Sequence, residues 1–213
     1  MRTLIAGVAL ALLLAGGASA EEFVSLFDGK SLDGWFIVNK KGPGFIVENG
    51  LLVCPANGGQ KLMTDKEYEN FIFRFEFRLE ADGNNGIGIR TPRDGHTSTQ
   101  GMEIQILDQS GPKYGPMKLR PEQYHGSIYD VIPARTGFLR KPGEWNQQEI
   151  EANGRRISVR LNGVLILDAN LDMVQEPEVL KKHPGLNRRS GHIALLGHQS
   201  PIEFRNLQLK VLP

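Results

Sequence analysis

The chain has 213 residues, with 25 basic and 24 acidic side chains, five histidines, one cysteine and a formal net charge of +1. A balance this even excludes a strongly basic chain and gives no argument for nucleic acid or an anionic membrane as partner. A lone cysteine excludes an intrachain disulfide framework. The first twenty residues read as a cleaved export signal. Arg2 is the positive start, Leu4 to Leu14 are an apolar run too short to span a bilayer, and Ala18-Ser19-Ala20 is a small-residue cleavage site. The address predicted is periplasmic or secreted. Without Arg2, residues 21–213 hold 24 basic and 24 acidic side chains, a formal net charge of zero. Their length predicts one domain with a sizeable core.

Along the mature chain, period-two alternation replaces helical periodicity. Cys54 lies in a run predicted to be a buried strand. Phe71, Phe73, Phe75, Phe77 and Leu79 share one face of a strand, and Ile72, Arg74, Glu76 and Arg78 the other. Ile87 and Ile89 alternate with Gly88 and Arg90, and Met102, Ile104 and Ile106 alternate with Glu103, Gln105 and Leu107. The segment 108–144 is rich in Gly and Pro. Its His125, Tyr124 and Tyr129 favour an ordered, functional loop. Ile157, Val159 and Leu161 begin a further strand. Asn49-Gly50, Asn153-Gly154 and Asn162-Gly163 suit type I′ hairpins, because both residue types tolerate positive φ. One short helix is predicted around Glu176–Lys182, bounded by Pro177 and Pro184, and two strands follow near 191–197 and 202–211. The sum is an all-β chain of antiparallel strands, a sandwich or barrel.

Strand parity puts Glu103 and Gln105 on one polar face. It places Arg90 beside Gly86 and Gly88, where missing side chains leave space for a ligand. The run Glu103-Ile104-Gln105-Ile106-Leu107-Asp108 resembles the E-x-D-x-x-E signature of laminarinase-type retaining glycosidases, whose outer carboxylates are nucleophile and acid/base. Here Gln105 replaces the central Asp and Asp108 the outer Glu. Retaining hydrolysis needs two carboxyls about 5–5.5 Å apart. Positions 103 and 108 face opposite ways on a regular strand, so a bulge would be needed.

A wider pattern runs through the chain. Phe27-Asp28-Gly29-Lys30-Ser31-Leu32-Asp33-Gly34-Trp35 is followed by Leu62-Met63-Thr64, Tyr68-Glu69-Asn70-Phe71 and Asn85-Gly86-Ile87 leading to Arg90. Then come Glu103 to Asp108, His125-Gly126-Ser127-Ile128-Tyr129, Lys141-Pro142-Gly143-Glu144-Trp145-Asn146, Leu161-Asn162-Gly163 and Phe204-Arg205-Asn206-Leu207. In this order the motifs resemble the 3-keto-disaccharide hydrolase family, once a domain of unknown function. The resemblance implies a concanavalin A-like jelly-roll β-sandwich of two antiparallel sheets in an exported bacterial protein. It implies activity on sugars oxidised at C3. A ketone at C3 acidifies the C2 proton, so a base can remove it and the C1 substituent can leave by elimination. Water then adds to complete a net hydrolysis. That chemistry needs a base, a group to stabilise the enolate oxygen and an acid for the leaving oxygen.

The expected catalytic residues are Glu103 and His198, the latter at the end of a late strand. Arg90, Gln105, Asp108, His125 and Tyr129 are expected to bind substrate. A divalent metal held by Glu103, His198 or Asp108 could polarise the ketone, although no tight ligand spacing marks such a site. Trp35 and Trp145 are read as packing residues, not sugar platforms, and Asp28 and Asp33 as turn caps. The expected partner is a small carbohydrate. A noncatalytic lectin-like module and a structural envelope domain are the competing readings.

Overall fold

A computed structural model describes residues 22–213, so the export-signal segment lies outside the described residues. Thirteen strands are formed. They are β1 (Val24–Ser25), β2 (Trp35–Val38), β3 (Ile46–Glu48), β4 (Leu51–Cys54), β5 (Gln60–Thr64), β6 (Phe71–Leu79), β7 (Asn84–Thr91), β8 (Met102–Leu107), β9 (Asn146–Asn153), β10 (Arg156–Leu161), β11 (Val164–Asn170), β12 (His192–Gly197) and β13 (Ile202–Val211). Two short α-helices accompany them, α1 (Thr97–Gln100) and α2 (Pro177–Lys182). None is long and apolar enough to cross a membrane.

All named strand pairs are antiparallel and fall into two sheets. One runs β11-β10-β9-β6-β13-β4-β3, with β1 also on β13. The other runs β2-β5-β12-β7-β8. The first sheet is built on β6, whose exposure alternates along its whole length. Phe71, Phe73, Phe75 and Phe77 are fully buried, and Phe75 lies 4.9 Å from the Phe73 ring and 6.0 Å from that of Phe204. Each such side chain stabilises the fold by roughly 1.5–3 kcal/mol through burial. The opposite face of β6 carries cross-strand ion pairs, Arg74 with Glu149, Arg78 with Glu203 and Glu76 with Arg205. These partly exposed pairs contribute about 1 kcal/mol each at most. Trp145 is half-buried there between the guanidinium groups of Arg78 and Arg205, 4.9 and 4.0 Å from its ring. Trp35 is buried and donates its indole N–H to the Leu26 carbonyl at 2.6 Å.

Asn49-Gly50 and Asn162-Gly163 close their hairpins with positive φ at both residues. The third expected turn is displaced by one residue. Asn153 pairs with Arg156 in the ladder, and Gly154-Arg155 makes the turn. The segment after β8 is ordered onto the free edge of that strand. Gly126 N–H donates to Gln105 O, Gln105 N–H to Ser127 O and Tyr129 N–H to Glu103 O. This satisfies backbone groups that an edge strand would expose.

Candidate functional site

The five-stranded sheet presents its second face to a cleft of about 380 Å³. The register sets its floor. Lys61 on β5 pairs with Leu196 on β12, Leu196 with Gly86 on β7, and Gly86 with Gln105 on β8. Glu103 stands two residues from Gln105 on the same side of β8, and its carboxylate leans over Gly86. A Cβ added at Gly86 would lie 2.4 Å from Glu103 Oε1. Gly86 is thus the space into which the carboxylate folds. Glu103 is 6 % exposed, and its Oε1 lies 3.7 Å from Nε2 of the half-exposed His198. The two residues expected to be catalytic are therefore neighbours and line the same cleft.

The connection between β7 and β8 forms one wall. Thr97 of α1 sits over Gly88, where an added Cβ would meet its methyl at 2.7 Å. His96 precedes the helix, with its Nδ1 3.0 Å from Ser98 Oγ. The Ser98 carbonyl is in turn held by Nδ1 of the buried His183 at 2.8 Å. Lys61 ties this wall to the floor by donating from Nζ to the Gly95 carbonyl at 2.7 Å. Burial lowers the Lys61 pKa, and the nearby Asp94 carboxylate opposes that shift. Next to it, Gln60 adopts φ +83. Neither Lys61 nor this wall stood out in the sequence. The one available signal was a lysine directly before the apolar pair Leu62-Met63.

Of the residues expected to bind substrate, Gln105 shares the face of Glu103 but is 3 % exposed, and its Nε2 donates to Asn84 Oδ1 at 3.2 Å. Asn84 donates onward to the Tyr114 hydroxyl at 3.4 Å. Tyr129 is half-buried beside Glu103. Burial first, then Asp130 and Glu103, raises its pKa, against a hydrogen bond from Gln123.

Arg90, Asp108 and His125 lie elsewhere. The pairing of β7 with β12 shifts register between His192 and Ala194, and Arg90 there takes φ +48. This breaks the alternation that parity assumed. The Arg90 guanidinium is 1 % exposed and donates to the carbonyls of Glu69, at 2.9 and 3.1 Å, and of Arg188, at 3.3 Å. It ties chain segments together and does not face the cleft. Asp108 follows a β8 of unbroken register. Its oxygens accept from Asp82 N–H (2.8 Å), Ser110 N–H (2.9 Å) and Ser110 Oγ–H (2.6 Å). Burial alone would raise its pKa, but these bonds outweigh burial and lower it. The carboxylate is a loop staple, so the two-carboxylate arrangement of a retaining glycosidase does not form.

His125 points into the sandwich interior. It stacks on Phe77 at 5.6 Å, and its Nδ1 accepts the Leu107 N–H at 3.3 Å. Burial pushes its pKa down to about 4, with the facing Gln148 amide opposing. Even so, His125 Nε2 and both Gln148 amide atoms lack a partner within hydrogen-bond geometry. Among the described residues no group of three or more His, Cys, Asp or Glu side chains converges to hold a metal. Of the residues named as possible metal ligands, Glu103 and His198 are neighbours, and Asp108 is held apart in its turn.

Residues 22–210 match the family model of the 3-keto-alpha-glucoside-1,2-lyase-like domain. A 3-keto-disaccharide hydrolase of Bacteroides thetaiotaomicron is 23% identical over 230 residues, spanning 91% of this chain and 79% of that protein. The crystal structure of a candidate glycosyl hydrolase from Parabacteroides distasonis superposes with a TM-score of 0.74 at 27% identity, over 90% of this chain and 100% of that one. A carbohydrate-binding module of Bacillus subtilis shares the fold alone, with a TM-score of 0.55 at 12% identity, over 83% and 95% of the two chains.

Proposed function

The chain belongs to the 3-keto-alpha-glucoside-1,2-lyase-like family, and on that premise we propose that it cleaves 3-keto-glycosides by removing the proton at C2. The observation that carries the reading is the placement of Glu103. A single carboxylate, nearly enclosed and with His198 Nε2 3.7 Å away, occupies the space above Gly86 on the floor of an open cleft. Among the described residues no second carboxylate lines that cleft. One base is what C2 proton loss requires, and a nucleophile and acid pair is not.

Glu103 takes the C2 proton. The C–H electron pair moves into the C2–C3 bond, and the C3 carbonyl becomes an enolate. The enolate collapses to restore the ketone, the C1–O bond breaks with its electrons, and the leaving oxygen takes a proton from the site. The product is an unsaturated 3-keto sugar. Addition of water at C1, with return of a proton to C2, completes a net hydrolysis. His198 is suited to fix the Glu103 carboxylate and to exchange protons with it. The leader-like residues 1–20 support export to the periplasm or beyond.

The test is incubation with 3-keto-trehalose and with a 3-keto-glucoside, each beside its unoxidised counterpart, with and without chelator. The reading expects the oxidised sugars to be consumed and the unoxidised ones to persist. Binding of both without turnover would favour a noncatalytic carbohydrate module instead.

A further inference from the structure

The cleft has a second flank that the proposed chemistry has so far not used. β5 and β8 are separated by β12 and β7. At about 4.8 Å per strand, their backbones run roughly 14 Å apart. Lys61 reaches inward from one side and Glu103, folded over Gly86, from the other, with Leu196 in the floor between them. Removing a proton from C2 moves negative charge to the oxygen on C3, away from the base. A stabilising group must therefore stand apart from the base on the far side of the ring carbon.

Resting on the reading of this cleft as a 3-keto-sugar site, we propose that Lys61 binds the C3 oxygen and stabilises the enolate formed there. Among the described residues it is the one lining residue with a permanent positive charge. An ammonium has three donors, and one is used, on the Gly95 carbonyl at 2.7 Å. The remaining two are available to a ligand. Partial burial strengthens such a contact, because the surrounding dielectric is lower than water. It also lowers the pKa of Lys61, and the nearby Asp94 carboxylate offsets only part of that shift.

The backbone around Lys61 is built to aim it. Gly59 packs so closely on β12 that an added Cβ would lie 2.8 Å from the Gly197 carbonyl oxygen. Gln60 then takes its left-handed φ of +83, a strained conformation for a residue with a side chain. The strain falls immediately before the lysine, at the margin of the cleft.

Three variants test the proposal against the wild type: Lys61→Arg, Lys61→Gln and Glu103→Gln. Lys61→Gln keeps an N–H donor within one bond length of the ammonium, so the tie to Gly95 can survive without the charge. Turnover of a 3-keto-glucoside is measured beside calorimetric binding of the unoxidised glucoside, which bears a hydroxyl at C3. The expected result is a fall in kcat of about 10²-fold or more in Lys61→Gln, the scale of losing an oxyanion donor. Binding of the unoxidised sugar should change little, and Lys61→Arg should retain part of the activity. Wild-type kcat in Lys61→Gln would overturn the proposal. So would an equal loss of unoxidised-sugar binding, which would make Lys61 a wall residue only. If Glu103→Gln is impaired while Lys61→Gln is not, only this inference falls. A wild type inert toward 3-keto-glucosides removes the functional reading and this inference with it.

Discussion

At the scale of single residues, Glu103 and Asp108 part company although five positions separate them. Glu103 is enclosed beside His198 at the cleft, and Asp108 is saturated by three donors in a turn. Glu103→Gln should lower turnover of a 3-keto-glucoside by roughly 10²-fold or more, the scale of general-base loss, and His198→Ala should lower it as well. Asp108→Ala should do the reverse. Its turnover stays near wild type, while urea denaturation shows about 1–3 kcal/mol of lost stability from unpaired buried donors. A similar collapse of turnover in Asp108→Ala would argue for two-carboxylate chemistry. His125 gives a pH signature. Its folded pKa of about 4 lies below the ordinary histidine value, so the unfolded chain takes up the proton first as pH falls. Stability from this residue is intact above about pH 6.5 and is lost progressively down to about pH 4, by roughly 3 kcal/mol in all. In His125→Gln, denaturant midpoints compared across that range should show a shallower fall.

At the scale of elements, the strands were legible and their ends were not. Alternation identified β6, β7, β8 and β10; exposure follows the same period of two in β6 and β10, whereas β7 and β8 are buried on both faces and alternate only in polarity. The same rule misplaced Arg90. Parity holds only while register holds, and the shift between β7 and β12 turns that residue away from the cleft. His125 and Asp108 lie in irregular chain after β8, where no period exists to read. Lys61 was hidden because β5 is short and gives too few alternations. Gly86 was legible as open space for a ligand beside Arg90, but the Glu103 side chain folds into it. A methyl there meets the flexible end of Glu103, so Gly86→Ala should displace the carboxylate at little cost to folding. The expected outcome is a large loss of turnover with a thermal midpoint close to wild type. Loss of both together would mean that Gly86 serves the sheet and not the site.

At the scale of the whole molecule, the larger sheet supplies the aromatic core, and the smaller one offers its outer face to the cleft. The aromatic core and the candidate site thereby lie on different surfaces, and the core has no disulfide to support it. Cys54 is free and fully buried, and burial raises its thiol pKa to about 11. It should stay unreactive toward a thiol reagent at neutral pH and become reactive on unfolding in urea. The central claim is that cleavage begins at C2 of a 3-keto sugar. It is tested most directly by comparing the protein's rates on a 3-keto-glucoside carrying hydrogen or deuterium at C2, with the unoxidised glucoside as control. The account predicts slower cleavage of the deuterated sugar or washout of its label into solvent, and no reaction of the control. Equal rates with the label retained, or turnover of the unoxidised glucoside, would contradict it.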